Sequence, residues 1–562
     1  MTLSSNDTSL QVPPPDLDEA KRAVELAGRV ISGAIDHLNA TGGIDREQVL
    51  AYDIAHSAAA ARTAQAAIAY GAHGDLEAAI ACAFVADAIA DLGAKVTGRE
   101  RSWSVEQEWM VPLGQFLSRW RDPQVLAALA EAPDIRHLEP DFELARETFH
   151  RFAQEQIRPH AEHVHRFNTD IPEEIIAGLA ELGGFGMSVP EQYGGFATGG
   201  ASDYMGMVVA TEELSWGSLG IGGSLITRPE ILTRALVNLG TEEQKRTWLP
   251  RLASGEAMVA VAVTEPDFGS DVANLVTSAT RDAQGWRITG VKTWCTFAAR
   301  ADVLMLLART DPDRTKAHRG LSLFVVPKPR GDGRGFSFAQ QPGPASAEQS
   351  GPAGSLGHDL STTGLVAPPG GRMEGRAIDT IGYRGMHSYE VAFDGWWVPD
   401  ECLIGAEEGL NRGFYAQMQG FENGRLQTAA RALGVMQAAY EAALDYASQR
   451  RVFGEPIINY QLTKAKLGRM MAVIAATRQF AYEVAKLMAE GSGALEASMV
   501  KAYICRAAEW VTREAMQVHG GMGYAEEFQV SRLFVDARVL SIFEGADETL
   551  ALKVIARRLS EK

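Results

Sequence analysis

Hydrophobic periodicity changes character twice along this chain, and that change limits its fold more than any other feature. Over residues 18–131, 138–255 and 409–562, apolar residues recur at helical spacing. Between the last two, the runs MVAVAVTE, GWRITGVKTWCTFA, ADVLMLLART, LSLFVVPK and YEVAFDGWWVP are short, apolar or alternating, and separated by Gly, Asp and Pro. Runs of that kind predict an antiparallel β region over about 258–400. Four parts follow: an extra helical N-terminal region (1–137), a helical domain (138–257), the β domain (258–400) and a C-terminal helix bundle (401–562).

Local signals refine this division. The Ala-rich stretch before residue 96 predicts two closely packed helices, broken at the Gly-Ala-His-Gly of 71–74. FELARETFHRFAQEQIRPHAE predicts one amphipathic helix, and Thr241 followed by Gln244 has the spacing of a capping box. Residues 1–17 are polar and Pro-rich, a floppy lead-in. Residues 331–376 are rich in Gly, Ser, Pro and Ala, and read as a disordered surface insertion rather than an ordered lid.

Composition excludes several function classes. With 53 Lys and Arg against 71 Asp and Glu, the net charge is 53 − 71 = −18. That is the wrong sign for a nucleic-acid binder. No uncharged apolar run approaches the ~20 residues that span a bilayer, the most apolar stretch (78–86) being stopped by Asp87. The N-terminus has no basic region followed by an apolar one, and no transit-peptide Arg, so a cytoplasmic location is expected. The four cysteines, Cys82, Cys295, Cys402 and Cys505, lie far apart without a CxxC pair. They read as a reducing compartment with no zinc site, and no metal is expected.

Six separated motifs carry the chemistry: AVTEPDFGSD (262–271), KTWCTFA (292–298), IGYRGMHSYEVAFDGWWVPDECLIG (381–405), RRVFGEPIINYQ (450–461), QVHGGMGY (517–524) and LSIFEGADETLALKVIARRL (540–559). Period-2 geometry puts Trp294 and Thr296 on one face of their strand. One Thr or Trp in a strand means little by itself. Together, in this order and spacing over about residues 140–562, the motifs resemble the acyl-CoA dehydrogenase family. The resemblance implies a mainly α protein with a central β-barrel: a helical domain, the barrel and a C-terminal four-helix bundle. It implies FAD held between barrel and bundle, its adenine end completed by a second subunit, hence a homo-oligomer (dimer or tetramer). The implied reaction is α,β-desaturation of an acyl-CoA thioester, in which a carboxylate removes the α-proton and the β-hydrogen leaves as hydride to flavin N5. An electron-transferring flavoprotein is the implied acceptor.

Carried over residue by residue, the resemblance makes Glu544 the base. Removing a proton beside a thioester also needs a stabilised enolate oxygen, and the family supplies it from the backbone N–H of this same Glu and a flavin hydroxyl. Relatives that place the base on an earlier helix would need it at Gly424, which cannot serve; Glu422 lies two residues off. Val263, Thr264, Trp294, Cys295 and Thr296 match residues at the flavin ring. Ser270 matches a residue near the phosphates and CoA. Arg450, whose planar fork suits a pyrophosphate, Phe453 and Gln461 match contacts across a subunit interface. Gln517, Gly520 and Gly521 match a loop where backbone approaches the partner's FAD, and Ala546 and Glu548 a last FAD contact. Glu422, Arg425, Gly545 and Ser270 match substrate contacts.

Departures narrow the substrate. The family's usual Thr after the EG pair is Ala546 here, so one hydroxyl contact is missing or replaced by Asp547 or Glu548. Trp216 stands where glutaryl-CoA enzymes carry Arg. The extra N-terminal region, the GMHSYE segment and the length of 562 residues resemble the branch that turns (2S)-methylsuccinyl-CoA into mesaconyl-CoA. A short branched diacid needs a cation for its distal carboxylate; Arg228, Arg384 and His387 are the candidates. The alternatives are dehydrogenation of another short or branched acyl-CoA, an acyl-CoA oxidase using oxygen, and a non-catalytic flavin- and acyl-CoA-binding relative. The retained Glu544 speaks against the last.

Overall fold

The computed structural model describes residues 13–282, 285–340 and 368–561. Its helices are α1 (Leu17–Ala40), α2 (Gln48–Gly71), α3 (Asp75–Val96), α4 (Gly114–Trp120), α5 (Pro123–Ala128), α6 (Pro140–Phe152), α7 (Arg158–Phe167), α8 (Glu173–Glu181), α9 (Ala201–Gly217), α10 (Thr227–Leu239), α11 (Glu242–Ala253), α12 (Ala406–Gly409), α13 (Gly413–Gln449), α14 (Gln461–Ala489), α15 (Ala494–His519) and α16 (Gln529–Leu540). The strands are β1 (Val259–Ala262), β2 (Ser278–Asp282), β3 (Gly285–Thr296), β4 (Val303–Arg309), β5 (Leu321–Pro327), β6 (Gly335–Ala339), β7 (Arg372–Ile378) and β8 (Ser388–Pro399). The expected helix–β–helix order is present. The chain divides into two compact units, residues 1–148 with 428–562, and residues 149–427.

The first unit is helical and joins the two ends of the chain. The break at 71–74 separates α2 from α3 as expected, and the two pack against each other. α2 also packs on α14, α15 and the π-helical turn Leu550–Ala556, and α5 packs on α14. Small residues permit this proximity: a Cβ on Gly468 of α14 would lie 1.8 Å from the Leu126 carbonyl oxygen of α5. A buried polar tie crosses the same contact. Arg478 of α14 donates to Asp134 (2.6 Å) and to Gln437 of α13 (2.9 Å), while the Tyr440 hydroxyl donates to the Ala130 carbonyl (2.7 Å). Residues before 137 are therefore an integral part of this helical unit.

The second unit packs helices against one curled eight-stranded sheet, ordered β1-β4-β2-β3-β8-β7-β6 with β5 on β4. Leu232 and Leu236 of α10 and Leu249 and Leu252 of α11 share a core with Val259, Met305, Leu307, Leu323 and Val325 of the strands. The capping box at the start of α11 is complete: the Thr241 hydroxyl accepts from Gln244 N, and the Gln244 side chain accepts from Thr241 N.

Three expectations need correction. The β region is not wholly antiparallel, because β1 lies parallel to β4; non-local pairing of this kind leaves no mark on local pattern. The stretch 331–376 is not irregular throughout. β6 and β7 lie in it as an antiparallel pair, with Phe338 opposite Met373; the core of that stretch, 341–367, falls outside the described residues, as does most of the 1–17 lead-in. The single helix expected from FELARETFHRFAQEQIRPHAE is interrupted by a π-helical turn at Ala153–Ile157. Pro159, in the first turn of α7, has no N–H to give an α-helical bond.

The Asp134–Arg478 tie yields a pH prediction. Burial works against charge on Asp134, but Arg478 and Arg136 outweigh it and hold the carboxyl below its ordinary value. A carboxylate lowered by folding stabilises the native state above about pH 4, and that contribution fades as pH falls through the native value. Asp134→Asn should therefore lower the thermal midpoint at pH 7, by about 2 kcal/mol of stability after discounting for partial exposure. It should also flatten part of the loss on acidification. Melting curves from pH 7 to pH 3, wild type against variant, check both.

Candidate active site

In the sheet unit, the two motifs 262–271 and 292–298 meet over a buried ion pair. Lys292, fully buried on β3, donates to Glu265 Oε1 (2.9 Å) and to the Val263 carbonyl (2.9 Å). Glu265 also accepts the backbone N–H groups of Val276 and Thr277, both at 2.8 Å. Burial acts against charge on both partners. The Glu265 carboxyl ends below its ordinary value because Lys292 and these donors outweigh burial, while for the Lys292 ammonium burial prevails and pulls it down. The Thr293 N–H donates to the Thr264 carbonyl (2.8 Å), closing the two segments on each other.

That clamp shapes the strand end. The β3–β8 register shifts between Lys292 and Cys295, and Trp294 has φ 58°. One extra residue in a strand ends the period-2 alternation. Trp294 is consequently 54% exposed while Thr296 is buried and 3.1 Å from the Ser388 hydroxyl. The two thus differ in exposure, Trp294 open and Thr296 packed against Ser388. Cys295, beneath the bulge, is fully buried, and burial pushes its thiol up to about 12 against the pull of Lys292 and Arg228. Val263 is buried, Thr264 half-buried, and Ser270 exposed on the loop beyond.

Arg228, the buried second residue of α10, is thus near enough to act electrostatically on Cys295. It reaches the Tyr383 hydroxyl at 3.4 Å, which donates to the Ser224 hydroxyl at 2.6 Å. The 381–388 segment lies tight against the turn before α10: a Cβ on Gly220 would stand 2.1 Å from the Arg384 carbonyl oxygen. The other two carboxylate candidates have partners of their own. Arg384 donates to the carbonyls of Thr380 (3.0 Å) and His165 (2.7 Å), and His387 lies 3.0 Å from the Asp170 carboxylate. Trp216 is buried between the His150 ring (4.2 Å) and the Arg158 guanidinium (4.2 Å). On α13, Gly424 is buried, with Glu422 and Arg425 half-buried.

In the helical unit, Glu544 sits in the turn after α16. It is half-buried with φ 53°, and Gly545 follows at φ 100°. Two successive left-handed residues make a sharp turn, and a non-glycine there costs about 1 kcal/mol. Buried Lys501 of α15 donates to the Gly545 carbonyl at 2.6 Å. The Asp547 carboxylate accepts the Tyr52 hydroxyl (2.5 Å) and lies 3.2 Å from His56 Nε2. Burial works against its charge, but His56, Tyr52 and Arg506 outweigh it and hold the carboxyl below its ordinary value. Lys501, Tyr52 and His56 escaped the sequence reading, since nothing local marks a contact across 44 residues, still less one across 495. A cleft of about 450 Å³ borders this turn, lined in part by Tyr52, Arg506, Arg538, Ala546 and Glu548. Arg450, Gln461, Gln517, Gly520 and Gly521 are exposed, and Phe453 is 95% exposed. A Cβ on Gly520 or Gly521 would meet nothing within 4 Å, so that loop presents open backbone.

Comparison with known proteins agrees with this picture. The family descriptions "Acyl-CoA dehydrogenase, N-terminal domain", "middle domain" and "C-terminal domain" match residues 139–256, 260–359 and 411–560. The chain is 43% identical over 423 residues to (2S)-methylsuccinyl-CoA dehydrogenase of Cereibacter sphaeroides, covering 75% of this chain and 70% of that one. Butyryl-CoA dehydrogenase from Megasphaera elsdenii superposes with TM-score 0.63 at 27% identity, over 76% of this chain and all (100%) of the other. A glutaryl-CoA dehydrogenase from Mycobacterium smegmatis, solved in complex with FADH2, gives TM-score 0.62 at 26% identity over 76% and 96%. With its motifs, its fold and these relatives in accord, the chain belongs to the acyl-CoA dehydrogenase family.

Proposed function

We propose that this acyl-CoA dehydrogenase desaturates (2S)-methylsuccinyl-CoA to mesaconyl-CoA, with Glu544 taking the α-proton. The observation that carries the reading is the Glu544–Gly545 turn: a half-buried carboxylate held in left-handed backbone, its next carbonyl fixed by buried Lys501. Strain retained at a fixed polar side chain is the mark of a position set by chemistry. The substrate reading is supported by the 43% identity to the Cereibacter enzyme of that name and by buried Arg228.

The residues present fit FAD. Half-exposed Trp294 offers an aromatic surface beside Thr264 and Thr296, and open Gly520 and Gly521 offer backbone without side chains. Trp294, Thr264, Thr296, Val263 and Cys295 would hold the ring; Arg450, Phe453, Gln461, Gln517, Gly520, Gly521, Ala546 and Glu548 would hold the remainder, the adenine half shared with a second copy of the chain. When bound, FAD supplies the two-electron acceptor for the β-hydride. The chain's own part is acid–base and positional. Glu544 receives the α-proton while its backbone N–H bonds the thioester oxygen, where enolate charge develops. Gly545, Ser270, Glu422 and Arg425 position the thioester, and Arg228 binds the distal carboxylate. Electrons then pass to an electron-transferring flavoprotein.

Three measurements test this. Glu544→Gln should keep its yellow flavin yet bleach about 10³-fold more slowly under anaerobic substrate, the scale expected for losing an acid–base group. Unchanged bleaching would remove Glu544 as base. In the wild type, methylsuccinyl-CoA should bleach the flavin faster than butyryl- or glutaryl-CoA. Arg228→Met should raise KM for methylsuccinyl-CoA about 100-fold, the loss expected for truncating a buried charge partner, while butyryl-CoA changes little. An equal effect on both substrates would release Arg228 from the carboxylate.

A further inference from the structure

The helical region before residue 137 lies outside the matched family domains, yet it reaches the turn that carries Glu544. We propose that Tyr52 and His56 of α2 are positioning residues for Glu544, acting through Asp547; the proposal rests on the reading of Glu544 as base.

The two side chains are four residues apart on one helix, which places them on the same face. Their rings pack edge to face, 4.4 Å between centroids. Both address the Oδ2 atom of Asp547, at 2.5 Å from the Tyr52 hydroxyl and 3.2 Å from His56 Nε2. His56 is 4% exposed, so this is a packed contact rather than a surface one.

Asp547 is the far post of the Glu544 turn. Its own N–H donates to the Ser541 carbonyl at 3.1 Å, so residues 541 and 547 close a loop with Glu544 inside it. Within that loop, Glu544 and Gly545 are both left-handed, a conformation that persists only when its surroundings over-determine it. Lys501 fixes the middle through the Gly545 carbonyl. α2 fixes the end through Asp547. Ile542, within the same loop, is 54% exposed, so apolar packing does little of this work on that side. Released from α2, the loop could relax its left-handed pair, and Glu544 would leave the position its chemistry needs. Small misplacement of a reacting group is costly because geometry supplies much of the rate.

A purely structural clamp, joining the chain's two ends, would have a different signature. The test uses the full-length holoenzyme with Tyr52→Phe, His56→Ala, the double variant and His56→Gln, whose amide can return a donor near the position of Nε2. Flavin content, thermal midpoint, kcat and KM are measured on each with methylsuccinyl-CoA and an artificial electron acceptor. The expected result is a loss of about tenfold in kcat per bound flavin for the double variant, KM within twofold of wild type, and recovery of most of the rate in His56→Gln relative to His56→Ala. A double variant that is folded, flavin-loaded and within twofold of the wild-type kcat would overturn the proposal. So would a loss that only follows lost flavin or folded protein. Should the double variant not fold, Tyr52→Phe decides: one oxygen atom removed should lower kcat at least threefold with flavin retained, and an unchanged kcat overturns the proposal. Glu544→Gln run alongside separates this from the parent reading, because wild-type bleaching there would dismiss the base itself, whatever Tyr52 and His56 do.

Discussion

The Lys292–Glu265 pair is the point on which the sheet unit's chemistry turns. A lysine and a glutamate taken wholly out of water cost several kcal/mol each, and their attraction offsets this only when every remaining donor and acceptor is matched. Here Glu265 receives two backbone N–H groups besides Lys292, and Lys292 gives a second bond to Val263. Such a pair adds little net stability, but it allows one arrangement of the backbone it touches. That backbone includes the exit of β1, the entry to β2 and the end of β3. The bulge at Trp294 is the consequence, since β3 must satisfy Lys292 below and Thr264 beside it while still pairing with β8. An exposed indole over a fixed, polar underlayer results, and the ring-binding reading depends on it.

The helical unit solves a similar problem with different means. Its strained element is a turn rather than a strand, and the restraints come from three separate helices: α15 through Lys501, α16 through Ser541 at its C-cap, and α2 through Tyr52 and His56. Left-handed backbone at Glu544 is unfavourable by itself, so each restraint counts only as part of the set. The close helix contacts that bring α2 there depend on small residues such as Gly71, where a Cβ would meet the Ala78 Cα at 3.1 Å. Thus the Ala- and Gly-rich texture of the first hundred residues bears on the packing around the Glu544 turn. It lets a helix remote in sequence come near enough to hold a turn at the other end of the chain.

What could be read from sequence follows the range of the interaction. Signals confined to a few residues were legible: the capping box of Thr241 and Gln244, the break at 71–74, and the placement of helical and β regions. The family motifs made Glu544 and Trp294 candidates, because each lies in a stretch whose spacing is itself informative. Features set by one irregular residue were not. Alternation predicts a regular strand through Trp294 and Thr296, and a bulge between Lys292 and Cys295 interrupts it. Gly and Ser around 331–376 concealed the aromatic alternation of Phe336 and Phe338 in β6. Long-range partnerships were least legible. The β1–β4 pairing, and Tyr52 meeting Asp547 across 495 residues, have no local signature at all.

The choice among three cations shows what structure adds to such a reading. From sequence, Arg228, Arg384 and His387 are equivalent: each is a cation near a matched motif. Packing makes them unequal. Arg384 gives its guanidinium to two backbone carbonyls, which braces the 380–388 segment against residue 165. His387 already faces Asp170, so an added carboxylate would compete with a resident one. Arg228 is the buried second residue of α10, where its guanidinium meets the Tyr383 hydroxyl, itself bonded to Ser224. A guanidinium beside such hydroxyls presents a planar fork that matches a carboxylate, and the hydroxyls can reorient to donate to it. Burial beside reorientable hydroxyls, rather than distance along the chain, is why the diacid reading places its weight on Arg228.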